Sequence, residues 1–318
     1  MLTYIFLILG FIFLIKGAAL LIDGSTSLAK RFGISDLAIG LTIVAFGTSA
    51  PELVINLISN FRNLADLTLG NIIGANIANI LLIGGLAALM APIQIRGKAA
   101  SKEIVLGLLA LIALLLFAND FFLGNSLSTY ISRWDGLFLI ILFSVFLYYT
   151  FGLSKADVKD IPEYTAQKLD VSLAYVILGI GGLIVGSKWI IDGALAIASN
   201  LNFSQSLIGL TILAIGTTLP ELATSLVAAF KKKGDLAIGN IVGSTVFNIF
   251  GIIGLSSLIR PLPFNNLLNT DIIIALGATV LLFWFVLTGK KERNIERWEG
   301  LALFCLYLVY LSFLIYRG

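Results

Sequence analysis

Two segments of this chain repeat each other, and each plants a Pro-Glu pair in the middle of a long apolar run. Residues 40–52 read Gly-Leu-Thr-Ile-Val-Ala-Phe-Gly-Thr-Ser-Ala-Pro-Glu, and residues 209–221 read Gly-Leu-Thr-Ile-Leu-Ala-Ile-Gly-Thr-Thr-Leu-Pro-Glu; nine of the thirteen positions are identical, at an offset of 169. Both residues of the pair are costly there. Proline costs roughly 3 kcal/mol inside a helix, and a carboxylate at mid-bilayer costs about 2.5–3.5 kcal/mol on insertion scales. A chain that carries both costs twice, at matched positions, points to an ion site.

That the runs lie in a bilayer follows from composition. Of 318 residues, 58% are hydrophobic and only 12% charged, against about 25% charged in soluble domains; mean hydropathy is +1.01. Apolar runs long enough to cross as helix fall at about 2–22, 35–60, 67–92, 103–119, 136–152, 172–192, 205–230, 236–258, 271–289 and 299–316. Their continuity excludes barrel strands, which alternate polar and apolar residues. The expected fold is therefore an all-α integral membrane protein with ten transmembrane helices. The first run lacks a basic leader and ends in a poor cleavage site, Leu21 to Ser25, so it reads as a retained helix. Cys305 stands alone and there is no His, which leaves no disulfide framework, no Cys or His metal cluster and no His relay.

Basic residues orient the runs. With the N-terminus outside, fifteen Lys and Arg fall on the cytoplasmic side, among them Lys30, Arg31, Arg96, Lys98, Lys155, Lys231, Lys232, Lys233, Lys290 and Lys291; only Arg62, Arg133, Arg260 and Arg317 fall outside. This bias predicts both termini to be extracellular. Lys16 and Lys188, inside the first and sixth runs, read as snorkelling side chains. The small net charge of +3 gives no reason to expect nucleic acid.

The repetition extends over most of the chain. Gly10, Gly17, Asp23 and Gly24 match Gly179, Gly186, Asp192 and Gly193, and Gly70, Asn71, Gly74 and Asn79 match Gly239, Asn240, Gly243 and Asn248, all at offset 169; Arg133 to Gly136 match Arg297 to Gly300 at offset 164. Residues 1–152 and 171–318 then each hold five helices, joined by a polar cytoplasmic linker at 153–170. An odd number of helices per half forces opposite orientations, the inverted-topology repeat of many secondary transporters, with the site at the midplane. The linker is too short for a large regulatory domain.

Within each motif, proline cannot donate to the carbonyl four residues back, so free carbonyls are expected around Ala45 to Thr48 and again from Ala214 to Thr217. Thr48, Ser49, Thr217 and Thr218 add hydroxyls, and Glu52 and Glu221 add charge. These hard oxygen donors suit Na⁺ and Ca²⁺. The helix that follows each motif is read as beginning Gly-Asn-Ile, which makes Asn71 and Asn240 N-terminal caps and places Asn79 and Asn248 near mid-depth, where their amides either ligate a cation or brace the glutamates. Gly70 and Gly74, like Gly239 and Gly243, have the spacing of closely packed helices.

These residues resemble the sodium/calcium exchanger family of the cation/calcium exchanger superfamily. Residues 40–80 and 209–249 look like its two signature repeats, in which Gly-Thr-Ser, a hydrophobic residue and Pro-Glu are followed by Gly-Asn-x-x-Gly-Ser. The resemblance implies ten helices with both termini outside. It makes Glu52 and Glu221 the principal Ca²⁺ ligands, joined by carbonyls near Thr48 and Thr217, and it sets Na⁺ sites at Ala45, Thr48, Ala214, Thr217 and Ser244. It also implies that the first and sixth helices slide across the other eight. Three positions depart from the pattern: Ala75 where serine is usual, Thr218 for serine, and Asn248 where some relatives, K⁺-dependent exchangers among them, carry aspartate.

Charge arithmetic agrees with exchange. One Ca²⁺, two Na⁺ or two protons each neutralise two carboxylates, whereas an empty pair buries two like charges. The expectation is an antiporter of the plasma membrane that exchanges Na⁺ for Ca²⁺ by alternating access. It would need the lipid bilayer and inorganic cations, no cofactor and no obligatory protein partner. A Ca²⁺/H⁺ exchanger of the same fold is the alternative. An enzyme would need a nucleophile–base pair or metal cluster, and neither is present.

Overall fold

The computed structural model of the chain describes residues 2–62, 65–95, 99–119, 130–153, 167–200, 214–288 and 294–317. Continuous apolar runs become helices because a bilayer offers the backbone no other hydrogen-bond partner. In chain order they are α1 (Leu2–Phe32), α2 (Asp36–Thr48), α3 (Ala50–Phe61), α4 (Thr68–Met90), α5 (Ala99–Ala118), α6 (Arg133–Leu153), α7 (Leu169–Asn200), α8 (Leu219–Phe230), α9 (Gly234–Ile259), α10 (Leu268–Thr288) and α11 (Arg297–Arg317). A single turn, Ala214–Thr217, precedes α8. Among the described residues, seven helices are long and apolar enough to cross a membrane, or eight when α2 and α3, bent by 49° at Ser49, form one span. The first part of the second motif, residues 209–213, and most of the linker lie outside the described residues, as do Arg96, Lys98, Lys155, Lys290 and Lys291.

The helices that follow the two motifs start earlier than Gly-Asn-Ile. The apolar span of α4 is counted from Thr68, but its helix begins at Ala65, and α9 begins at Gly234, so Asp66 and Asp235 lie in the first turns and the Gly-Asn pairs fall in the helix interior. Both pass through a stretch of π-type turns, Ala78–Gly84 and Phe247–Ile253, at the same offset of 169. Such turns concentrate at functional sites, and each of these contains one of the two mid-depth asparagines.

Apolar packing divides into two clusters. The larger is built mainly on α4, α5, α9, α10 and α11, around residues such as Ile73, Ile83, Leu111, Ile253 and Leu303. The smaller joins α1 and α7 to one face of the motif helices through Leu21, Ile22, Leu183 and Ala228. Along the α1–α7 seam the two backbones touch. A Cβ on Gly179 would lie 2.6 Å from the Leu21 nitrogen, and one on Gly17 would lie 2.8 Å from the Gly179 carbonyl oxygen. The outward faces carry large exposed apolar side chains, such as Ile8 and Ile15 on α1 and Leu308 and Val309 on α11, as a lipid-facing surface requires.

At one end of this pair, Lys231 forms an ion pair with Asp23 at 2.6 Å and also donates to the Ala19 carbonyl oxygen at 3.4 Å. Lys233 beside it donates to the Thr26 hydroxyl at 2.5 Å. Burial holds the Lys233 ammonium below the usual lysine range, with Asp36 and Asp23 opposing the shift. Two very short antiparallel ladders complete the frame: Ile93–Gln94 (β1) pairs with Asn294–Ile295 (β4), and Tyr130–Ile131 (β2) pairs with Leu262–Pro263 (β3). Each ladder takes one strand from residues 1–152 and one from 171–318.

Candidate cation site

The site is made by the interruption of two helices. α2 stops at Ser49, whose ψ of 8° departs from the helical value, and α3 restarts with Pro51 in its first turn. Thr218, with ψ of 4°, does the same ahead of Pro220. Pro51 has no N–H to offer Gly47, as the sequence predicts. The Ala45 carbonyl, expected to be free, is not: it accepts the Ser49 N–H at 3.0 Å and the Thr48 hydroxyl at 3.2 Å. The Ile215 carbonyl is engaged in the same way, by the Thr218 N–H at 3.2 Å and the Thr218 hydroxyl at 3.0 Å. Each broken end thus uses its own threonine or serine to close one of the carbonyls that the break exposes.

Glu52 and Glu221 open α3 and α8, and each is 1% exposed. They lie within electrostatic reach of each other. Their surroundings differ. Neither carboxylate oxygen of Glu52 has a hydrogen-bond partner. Glu221 Oε1 accepts from Ser49 Oγ at 2.8 Å, while its Oε2 has none. Ser49 Oγ also lies 3.1 Å from Ser244 Oγ on α9, so the first break, the second glutamate and α9 meet in one hydroxyl cluster.

The asparagines Asn79 and Asn248 lie on the π-type stretches that pack against α8 and α3 respectively. Asn248 donates its Nδ2 to Asn76 Oδ1 at 3.1 Å and keeps its own Oδ1 without a partner; Asn79 Oδ1 is also without one. On the two glutamates and these two asparagines, five buried oxygens therefore have no protein donor: both of Glu52, one of Glu221, and the amide oxygens of Asn79 and Asn248. Buried acceptors are almost always satisfied in folded proteins, and a carboxylate left bare away from water is costlier still. Hard oxygen acceptors carrying two formal charges fit a Ca²⁺ ion or Na⁺ ions as cargo. Among the described residues no group of three or more His, Cys, Asp or Glu is placed to hold a metal.

Thr48, Thr217, Thr218, Ser244 and Ala45 are likewise buried, and Ala214 opens the single turn that leads into the second break. Ala75, where a serine was expected by resemblance, is buried on α4.

Asn71 and Asn240 are not caps. Asn240 lies well inside α9, fully buried, with its Oδ1 3.1 Å from Thr48 Oγ1 and its Nδ2 donating to Ser225 Oγ at 3.0 Å and to the Glu221 carbonyl at 3.4 Å. In the first half the same task falls to Asn56, whose Nδ2 donates to the Glu52 carbonyl at 2.7 Å; Asn71 reaches Asn56 Oδ1 only at 3.5 Å. The signal that could have found them was the matched Gly-Asn in both halves. Asn76 had no such signal, since Thr245 holds the equivalent place.

A helical membrane body with two interrupted helices and an anionic oxygen cluster between them defines a membrane cation transporter. The family model for sodium/calcium exchanger protein matches residues 2–152 and 171–316, and the chain belongs to that family. It is 30% identical over 350 residues to the sodium/calcium exchanger MaX1 of Methanosarcina acetivorans, with 99% of each chain covered. It is 33% identical over 298 residues to the inner membrane protein YrbG of Escherichia coli, covering 90% of this chain and 89% of YrbG. Among solved structures, the sodium-calcium exchanger NCX_Mj soaked with 10 mM Na⁺ superimposes with a TM-score of 0.84 at 32% identity, over 98% of both chains. The protein is accordingly an exchanger of cations, a membrane transporter.

Proposed function

We propose that this protein exchanges Na⁺ for Ca²⁺ across the plasma membrane by alternating access. The observation that carries the reading is the set of five donorless oxygens on Glu52, Glu221, Asn79 and Asn248, with the Ser49 and Ser244 hydroxyls beside Glu221. Ca²⁺ sits between Glu52 and Glu221, with Asn79 and Asn248 as amide ligands or braces. Na⁺ ions replace it, using the oxygens of Thr48, Ser49, Thr217, Thr218 and Ser244 and carbonyls near Ala45 and Ala214 other than those of Ala45 and Ile215, which the breaks already close. An empty carrier would bury two like charges and so reorients only when loaded, which makes the exchange obligatory.

The architecture behind this is ten helices in two inverted five-helix repeats, 1–152 and 171–318, with a cytoplasmic linker and both termini outside. The strand ladders support it. β1 and β3 occupy equivalent places at offset 169, and β2 and β4 at offset 164; β1 pairs with β4 and β3 with β2. A swap of this kind follows when two copies are related by a two-fold axis. Likeness to YrbG, named for the inner membrane, supports the location. The α1–α7 pair, with its own apolar cluster, is the moving body.

The alternative is Ca²⁺/H⁺ exchange, which needs the carboxylates but not the hydroxyls. The test is ⁴⁵Ca²⁺ uptake into proteoliposomes loaded with Na⁺ at equal pH on both sides. Uptake that follows the Na⁺ gradient is expected. Uptake that requires a pH gradient and ignores Na⁺ replaces this reading with the alternative.

A further inference from the structure

Asn240 spends its side chain on two other helices. Its amide oxygen faces the Thr48 hydroxyl at the end of α2, and its amide nitrogen reaches Ser225 Oγ and the Glu221 carbonyl on α8. Thr48 belongs to the first break and Glu221 to the second. A packing asparagine in a helix interior satisfies itself on its own turn or on one neighbour; this one ties two neighbours to each other. The tie sets directions as well as distances. A threonine hydroxyl has one proton and two lone pairs. Ala45 O and Asn240 Oδ1 both lie within reach of Thr48 Oγ1, and the Glu221 carboxylate is near enough to compete for the same proton, so Asn240 helps to decide which way that hydroxyl turns. The donors from Asn240 Nδ2 fix the first turn of α8, which carries Glu221.

We propose that Asn240 is a positioning residue that couples the two half-sites, so that an ion held on the Thr48 side orders the Glu221 side for the next. In the first half, Asn71 Nδ2 meets Asn56 Oδ1 at 3.5 Å and Asn56 Nδ2 donates to the Glu52 carbonyl of its own helix. This inference rests on the exchange reading above and adds to it the route by which ions at the two breaks sense each other.

The test is a double-mutant cycle in proteoliposomes with the full chain. Asn240→Ala and Thr48→Val are each expected to weaken apparent Na⁺ affinity about tenfold, as the loss of a buried hydrogen bond that strands its partner does, and to lower the Hill slope for Na⁺. The double variant is expected to be no worse than the weaker single, since both remove one link. Ser225→Ala, a small change that keeps the Thr48 contact, is expected to lower the Hill slope with about a threefold loss of affinity, and it decides the matter should Asn240→Ala fail to fold. Singles whose effects multiply, or a Hill slope unchanged in Asn240→Ala or Ser225→Ala, overturn the proposal. Should the unaltered chain follow a pH gradient and ignore Na⁺, the exchange reading fails at that step; the same cycle is then read from ⁴⁵Ca²⁺ affinity, where multiplicative singles overturn the coupling and non-multiplicative ones support it.

Discussion

Glu52 and Glu221 occupy matching positions but not matching environments. Ser49 donates to Glu221, whereas the equivalent Thr218 turns its hydroxyl back to the Ile215 carbonyl and leaves Glu52 bare. Each carboxylate nevertheless supplies half of the pair's charge. Breaking a buried charge pairing costs about 3–5 kcal/mol, so Glu52→Gln and Glu221→Gln should each cut Na⁺-driven ⁴⁵Ca²⁺ uptake by about a hundredfold or more while the protein still elutes as a folded monodisperse species. Near-normal uptake in either would remove the glutamates from the site. Ala75→Ser places a hydroxyl opposite the role of Ser244 and should raise apparent Na⁺ affinity by about fivefold, the worth of one net hydrogen-bond-strength contact; an unchanged Na⁺ activation curve would mean that position 75 does not face the ions. The glutamates, the prolines and the mid-depth asparagines were legible in the sequence because they recur. Asn240 reads as a cap when the helix is started at Gly239, past Leu236 to Ile238, whereas the folded helix begins at Gly234 and puts Asn240 in its interior. A cap and a buried brace then carry the same letter at the same motif position.

At the level of elements, the α1–α7 seam is the most sensitive to a single methyl group. The glycines Gly10, Gly17, Gly24, Gly179, Gly186 and Gly193 stood out in the sequence as matched residues, but nothing there said that they face one another. Four of them do: Gly10 and Gly186, and Gly17 and Gly179, approach backbone to backbone, while Gly24 packs on Ser172 to Val176 and Gly193 on Leu7. Gly179→Ala forces the added carbon against Leu21 and Gly17, where no flexible side chain can yield. Overpacking of this kind costs about 1–3 kcal/mol. The variant is expected to melt at a lower temperature in detergent than the parent and to lose transport; an unchanged melting curve would show that the helices separate freely there. The π-type turns in α4 and α9 were not legible at all. Apolar composition specifies that a helix forms, but the shift from four-residue to five-residue hydrogen bonding depends on tertiary contacts around Asn79 and Asn248 that periodicity does not encode.

Across the whole molecule, hydropathy and the repeat anticipated an all-helical membrane body, and the likeness to solved exchangers over nearly the full chain bears that out. What pattern reading could not see is how the two parts of the chain hold each other. Each four-residue ladder is negligible as a sheet, yet each takes one strand from either side of the linker. Glu221 receives its hydrogen bond from Ser49, and Asn60 donates to the Ser256 carbonyl at 2.6 Å. The association between the parts is therefore written in their surfaces and not in the peptide bond that joins them. A chain cut between Leu153 and Gln167 should behave as a pair of fragments that find each other: co-expressed, they are expected to co-purify through a tag on one of them and to catalyse uptake. Recovery of the tagged fragment alone would show that covalent continuity is required. In that sense the chain is a heterodimer whose subunits happen to be translated together.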